Sequence, residues 1–207
     1  MFGVAIASSS PAVAARCAHA RSGAGVVATQ NITDPALGPY ILERLAQGAA
    51  AAEALRAALG STRFADYRQL LVLGAHGPPS THSGRRALGV FASALGENCA
   101  AAGNLLAHAD VPAAMVGAFE AAGGHLGDRL LRSLRAGAAR GGEAGPIHSA
   151  GLLIVRDVAW PIVDLRVDWS KEDPVAELRG IWDIYAPQID DYVGRAIDPA
   201  RSPSFPP

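Results

Sequence analysis

Three polar side chains stand together where an apolar strand, GAGVVATQN, is predicted to end. Thr29, Gln30 and Asn31 come shortly before Asp34, a residue type favoured at helix N-caps. A strand end that faces a helix N-terminus brings backbone N–H groups and amide side chains together, and such groups bind carboxylates or stabilise an oxyanion. The residues leave two interpretations open: a pocket of this kind, or an ordinary turn capped by Asn and Asp.

Four further residues could line the same pocket. Ser9 and Ser10 follow the first predicted strand, His82 lies at a strand end in THSG, and Asn104 lies between a glycine and an apolar pair in GNLLA. Each has a purely structural alternative, which is a turn for the serines and Asn104 and a surface or internally bonded position for His82. The predicted substrate-binding residues are Ser9, Ser10, Thr29, Gln30, Asn31, His82 and Asn104.

Other familiar chemistries find no support in the sequence. It contains no P-loop or GxGxxG, no HExxH and no GxSxG motif. Its 6 histidines have neither helical i,i+4 spacing nor a cysteine at metal-ligand distance, so we expect no metal and no cofactor. The net charge is −1 without a basic stripe, which argues against nucleic acid, and no apolar run is long enough to suggest a membrane partner.

The elements that must position these residues come in alternating blocks. After the opening strands, helices are predicted from Asp34-Pro35 and in AAEALRAALG, followed by a hairpin in YRQLLVLGAHGPPSTHSG. Two helices, two strands (SAGLLIVRD and PIVDLRVDW) and a helix from Asp173-Pro174 complete the order. We expect SSSPAVAARCAHARSG to be a loop. The pattern of LGVFASALG fits either a strand or a helix. This order favours an α+β protein with helices stacked on antiparallel sheets.

The 207-residue length suits a single domain, predicted over residues 1–186, with a partly disordered C-terminal extension over 187–207. The opening MFGVAIASSS alternates Phe2, Val4 and Ile6 with small residues, which is typical of a strand. No Lys or Arg precedes Arg16, which argues against a signal peptide. The 2 cysteines, Cys17 and Cys99, belong to no paired motif. We expect reduced thiols and a cytoplasmic protein.

A series of motifs resembles the Ntn-hydrolase-like family catalogued as domain of unknown function 1028 (DUF1028). In order they are ATQN, YRQL, HSG, GNLLA, AMVGAFEAAGG, DRLLRSLRAGAARGG and VDLRVDWSKEDPVAELR, and they span nearly the whole chain. The tail DDYVGRAIDPARSPSF is similar to that of one bacterial subgroup. The resemblance implies a four-layer αββα sandwich of two antiparallel sheets flanked by helices. It also implies an N-terminal nucleophile (Ntn): the residue freed by Met removal attacks an amide carbonyl, and its own α-amine is the general base.

The chain departs from this family at its start. Members usually begin with Met and then Thr or Ser, followed by a short strand and a turn that precede the stretch similar to MFGVAIASSS. Phe2 cannot be a nucleophile, so the chain looks like the fold without its first strand. Either the start was assigned at an internal Met, or the protein is shortened and catalytically silent. The implied function is hydrolysis of a small-molecule amide or other C–N bond, with little turnover by this chain. The alternative is a non-catalytic small-ligand-binding or accessory protein, and homo-oligomer formation stays open.

Overall fold

The computed structural model describes residues 1–204 of the chain. Its strands are all paired antiparallel and form a three-stranded sheet of order β1-β8-β9, a four-stranded sheet of order β2-β3-β4-β5 and a separate β6-β7 pair. The strands are β1 Phe2–Ser8, β2 Ala18–Arg21, β3 Gly25–Asn31, β4 Arg68–Gly74, β5 Ser80–Ser83, β6 Ala92–Leu95, β7 Ala100–Gly103, β8 Ser149–Val155 and β9 Val163–Val167.

Helices occupy the connections between these strands. They are α1 Val13–Cys17, α2 Leu37–Ala46, α3 Ala51–Ser61, α4 Val111–Ala121, α5 Leu126–Ala139, α6 Pro174–Tyr185 and α7 Ile189–Ile197, with 3₁₀ turns at Ala65–Tyr67 and Ala186–Gln188. None of the helices within residues 1–204 is both long enough and apolar enough to cross a membrane.

The two larger sheets face each other, and helices cover them on the outside. Strand β1 contacts β2 and β3 of the other sheet, and β2 contacts β8. Helices α5 and α6 pack on the three-stranded sheet, whereas α2 and α3 pack on the four-stranded sheet. Apolar residues of each helix pair and its sheet form the two main cores. These contacts confirm the α+β class with antiparallel sheets and order the layers as helix, sheet, sheet, helix.

Strand β1 divides its side chains between the two neighbouring layers. Ile6 packs with Val13 and Cys17, whereas Ala5 and Ala7 pack against the core beneath α5 and α6. A Cβ at Gly3 would lie 2.7 Å from a methyl of Leu130 in α5. The small residues that alternate along β1 therefore allow α5 to approach the strand closely.

Two local predictions were wrong. The segment SSSPAVAARCAHARSG is not a plain loop, because it contains α1 and β2. A five-residue helix carries little periodicity, and β2 exists because His19 pairs with Val27 of β3. Helix α2 begins at Leu37 rather than at Pro35. The Asp34 carboxylate instead accepts the Ala36 N–H, 3.1 Å away, in the turn before the helix.

The ambiguous stretch LGVFASALG contains β6, and Asp173 is the N-cap of α6 as predicted. Its carboxylate accepts the backbone N–H groups of Val175 and Ala176, each at 3.0 Å. Beyond residue 186, Ile189 and Val193 of α7 are buried in the core beneath α5 and α6. The tail predicted to be disordered includes residues 205–207, which lie outside the described residues.

Candidate functional site

A cavity of about 670 Å³ runs along one edge of β1. Strand β1 pairs with β8 on its other side, and no strand within residues 1–204 pairs with the edge beside the cavity. Every residue from Met1 to Ser10 lines the cavity. Because consecutive strand residues point to opposite faces, a cavity that reaches all of them must follow the strand edge. Unpaired N–H and C=O groups of β1 therefore face this space.

The remaining walls come from several elements. Residues of β3, β4, α4, α5 and the segment 98–106 surround the cavity, and most of its surface is apolar. Met115, Phe119 and Leu130 contribute large apolar side chains. The polar groups are concentrated in the turn after β1, in the segment 30–33, and around residues 104 and 143. An apolar cavity with a few convergent polar groups is the usual form of a small-molecule site.

Behind the cavity, the buried side chain of Gln69 connects a cluster of amides. Its Nε2 donates to Ser83 Oγ at 2.9 Å and to the Gly103 carbonyl at 3.0 Å. Its Oε1 accepts from Gln30 Nε2 at 2.8 Å and from Asn104 Nδ2 at 3.1 Å. Gln69 is fully buried and all of its hydrogen-bonding capacity is used.

This arrangement determines how Gln30 and Asn104 present their amides. A backbone carbonyl can only accept a hydrogen bond, so the contact with Gly103 identifies the Gln69 nitrogen and, with it, the Gln69 oxygen. Both neighbours must then turn their NH₂ groups toward Gln69, and the second Gln30 N–H donates to the Ala102 carbonyl at 3.1 Å. Gln30 Oε1, Asn104 Oδ1 and one Asn104 N–H have no protein partner within residues 1–204. These are the groups that the cluster offers to a ligand.

A carboxylate lies at the Ser8–Ser10 end of the cavity. Glu143 Oε2 accepts the Ser9 backbone N–H at 2.5 Å, and Oε1 accepts the Ser9 hydroxyl at 3.1 Å. Glu143 is positioned by strand-like pairing, since it bridges Leu106 while Ala144 N donates to the Leu105 carbonyl at 2.7 Å. Burial raises the pKa of the Glu143 carboxyl, although the two bonds from Ser9 oppose the shift. Glu143 can therefore accept a proton more readily than an exposed glutamate.

The turn that carries Ser9 is held by a buried serine of β8. Ser149 Oγ donates to the Ser10 carbonyl at 2.6 Å and accepts the Val13 N–H at 3.2 Å. Ser8 Oγ accepts the Ser10 N–H at 3.1 Å. The orientation of Ser9 toward Glu143 is therefore set by backbone contacts rather than by the serine side chain alone.

The structure brings five of the seven predicted site residues to the cavity. Ser9, Ser10, Gln30, Asn31 and Asn104 line it, whereas Thr29 and His82 do not.

Thr29, Asn31 and His82 each bind a backbone carbonyl outside the Gln69 cluster. Thr29 Oγ1 donates to the Asp34 carbonyl at 3.2 Å, and His82 Nε2 is 3.1 Å from the Ala65 carbonyl. Asn31 has a left-handed backbone with φ of 71° and binds the Tyr67 carbonyl at 2.6 Å through its Nδ2.

Sequence reasoning missed Gln69 and Glu143. Gln69 did leave a signal, because a glutamine inside the apolar strand RQLLVLG needs buried hydrogen-bond partners. Glu143 left none, since a glutamate after two glycines is typical of a solvated turn. Its place at the cavity depends on the pairing of residues 105–107 with 142–144.

Both cysteines also line the cavity and are free thiols, as predicted. Burial raises the pKa of Cys17, and burial together with the nearby Glu120 carboxylate raises that of Cys99. Raised pKa values keep both groups as thiols at neutral pH, and the thiol is a poor nucleophile. Within residues 1–204, no three His, Cys, Asp or Glu side chains are grouped closely enough to hold a metal ion.

Comparison with known proteins assigns the chain that forms this cavity to a family. A model described as a family of unknown function, DUF1028, matches residues 1–178. The chain belongs to DUF1028. The resemblance based on motif order is therefore confirmed for the family, and the match includes β1 and every residue that lines the cavity. The Ntn-hydrolase-like part of that resemblance stays a prediction.

A solved structure agrees with this DUF1028 assignment. The chain is similar to the crystal structure of protein SPO2555 from Silicibacter pomeroyi, a DUF1028 protein, with a TM-score of 0.84 and 26% sequence identity. The similarity covers 92% of this chain and 83% of that one. No curated protein matches the chain.

Proposed function

We propose that this DUF1028 protein is a hydrolase of a small-molecule amide, or of another C–N bond, that uses an N-terminal nucleophile on an Ntn-hydrolase-like fold. One observation carries the proposal: the edge of β1 is unpaired and faces a cavity of about 670 Å³. An unpaired edge beside an apolar cavity is an unusual arrangement for the interior of a sheet protein. One additional antiparallel strand would fit this edge.

The direction of such a strand determines where its first residue lies. A strand joined to β1 by a short turn runs antiparallel to it, so the turn lies near Met1 and the N-terminal end lies near Ser8. Ser9 and Glu143 are found at that end of β1. A nucleophile at the start of the strand would therefore face the polar end of the cavity rather than its apolar walls.

The chemistry that this position needs is simple. The free α-amine of the first residue has a pKa near 8, so a useful fraction is unprotonated at neutral pH and can take the proton of a Thr or Ser hydroxyl. The tetrahedral oxyanion then needs hydrogen-bond donors. Asn104 has one amide N–H without a protein partner within residues 1–204 and lines the cavity, so it is our candidate donor.

A second function, ligand binding without catalysis, is favoured by a different observation. Among the described residues that line the cavity, Cys17 and Cys99 have raised pKa values. Both thiols are therefore poor nucleophiles, whereas the apolar walls and free amide groups suit ligand binding. On this second proposal, the protein binds a small ligand or acts as an accessory protein without turnover.

The deciding experiment is to determine the N-terminus of the natively expressed protein by intact mass and N-terminal sequencing. A start upstream of Met1 with an exposed Thr or Ser supports the hydrolase, and replacing that residue by Ala should then abolish turnover of an amide library. Loss of a covalent nucleophile has cost roughly 10⁶-fold in rate in another hydrolase. Equal hydrolysis by the 207-residue chain and by a longer natural form would overturn the proposal.

A further inference from the structure

One carboxylate within the described residues lines the cavity, and it has no cationic partner. That residue is Glu143, which takes part in none of the ion pairs within residues 1–204. The cavity wall also contains two arginines, but both are engaged elsewhere. Arg16 donates to the carbonyls of Pro11 and Ala12, and the Arg129 guanidinium lies over the Phe119 ring, 4.0 Å from its centroid.

The Glu143 carboxylate also has unused hydrogen-bonding capacity. An ionised carboxylate can accept about four hydrogen bonds, and Glu143 accepts two, both from Ser9. Half-burying an ion is unfavourable unless a charge of the opposite sign or several donors compensate it. A cationic ligand in the cavity would provide both kinds of compensation.

Nearby amides add acceptors of the same kind. The Gln69 cluster turns the NH₂ groups of Gln30 and Asn104 inward, which leaves Gln30 Oε1 and Asn104 Oδ1 without protein donors in the described residues. Both residues line the cavity with Glu143. Asn104 is two residues from Leu106, which forms the isolated bridge with Glu143. The polar side of the cavity is therefore rich in acceptors and suits a group with several N–H donors.

We infer that the Glu143 end of the cavity binds a protonated primary amine, with the Glu143 carboxylate as counter-ion and the Gln30 and Asn104 oxygens as further acceptors. Two sources share this chemistry. One is the ammonium group of a small-molecule ligand, which makes amine-bearing amides the substrate class. The other is the α-ammonium group of an upstream N-terminal residue, a source that rests on the proposed function.

Glu143 has a structural role as well, because it holds the Ser9 backbone, and the test must separate the two roles. Glu143→Gln keeps the size of the side chain and an oxygen that accepts the Ser9 N–H, but it removes the charge. Glu177 supplies a matched control. It is an exposed glutamate outside the cavity that also accepts a serine hydroxyl, from Ser170. Glu177→Gln thus changes the same groups away from the site.

The experiment is a titration of the 207-residue protein with n-butylamine at pH 7, where the amine is protonated, followed by thermal shift and by calorimetry. The uncharged 1-butanol is the ligand control. We expect a saturable rise in Tm with the amine and none with the alcohol. Glu143→Gln should weaken amine binding by about tenfold or more, since it converts a charge-assisted contact into a neutral one. Glu177→Gln should bind like the parent protein.

Two results would overturn the inference: no saturable amine binding by the parent protein, or equal binding by a folded Glu143→Gln variant. Repeating the titration on the natively expressed protein distinguishes the sources. If its N-terminus lies upstream and added amine no longer binds, its own α-ammonium occupies the site. If added amine still binds, the ammonium belongs to a small molecule. The test on the 207-residue chain measures amine binding and not hydrolysis. The proposed hydrolase function can therefore fail without changing the outcome of the amine-binding test.

Discussion

Replacing Gln69 by Leu should destabilise the protein strongly, because this buried amide forms four hydrogen bonds with lengths from 2.8 to 3.1 Å. Leucine has a similar volume, so the change removes the polar contacts with little change in packing. Its partners Ser83, Gly103, Gln30 and Asn104 are half-buried, and none receives a replacement from the leucine side chain.

The magnitude follows from these contacts. Each hydrogen bond contributes about 0.5–1.5 kcal/mol net, and burial of the more apolar leucine offsets part of that loss. We expect a loss of about 2–4 kcal/mol in the free energy of unfolding, which corresponds to roughly 5–10 °C in Tm for a protein of this size. Urea unfolding followed by circular dichroism measures it, and the m-value should not change.

Gln47→Leu is the matched control, because Gln47 is exposed and its side chain makes a single contact, to Glu43 at 3.1 Å. Its effect should stay within about 0.5 kcal/mol. If Gln69→Leu loses less than about 1 kcal/mol, the amide cluster does not stabilise the fold, and its role in orienting Gln30 and Asn104 is refuted with it.

Three further outcomes can be measured by urea unfolding. Ser149→Ala should lose about 2–3 kcal/mol, because Ser149 is fully buried and holds the turn after β1; a neutral effect would contradict this. Asp173→Ala should lose about 1 kcal/mol at pH 7. The hydrogen bond from the Ala176 N–H makes the largest contribution to lowering the pKa of Asp173 in the folded protein. The stabilisation by Asp173 is therefore present above the pKa of this residue in the unfolded chain and is lost as pH falls through its folded-state pKa. A stability difference between the parent protein and Asp173→Ala that does not shrink in acid would contradict this. Burial raises the pKa of Glu143 in the folded protein. The parent protein should therefore lose stability relative to Glu143→Gln as pH rises from the pKa of Glu143 in the unfolded chain through its folded-state pKa. A stability difference between the two proteins that does not depend on pH would show that the carboxyl is not desolvated.

Local pattern predicted the larger elements of the fold well. Helix α6 begins at the Asp173-Pro174 pair, and the hairpin of β4 and β5 surrounds the turn at Gly77. These signals depend on residues close in sequence, such as a cap that binds the next N–H groups. The short elements α1 and β2 were not predicted, because they have only 5 and 4 residues and carry little sequence pattern. Their stability comes from the layers they contact rather than from their own sequence.

The candidate site was predictable only in part, and the reason is again the range of the interactions. Gln30, Asn31 and Asn104 were predicted as site residues because they are polar and lie beside apolar runs, and all three line the cavity. Thr29 and His82 look similar in sequence, yet they bond to backbone carbonyls away from it. Whether a polar side chain faces a cavity or a carbonyl depends on neighbours distant in the chain.

The α+β class, the family and the position of most strands and long helices were predictable, because periodicity, caps and motif order are properties of neighbouring residues. The unpaired edge of β1 beside the cavity and the contact of Glu143 with Ser9 became visible only in the folded arrangement. These two residues are 134 positions apart, and β1 pairs with a strand from the far end of the domain. Contacts of that range arise only when the layers pack together, and they assemble the polar groups that a ligand would meet.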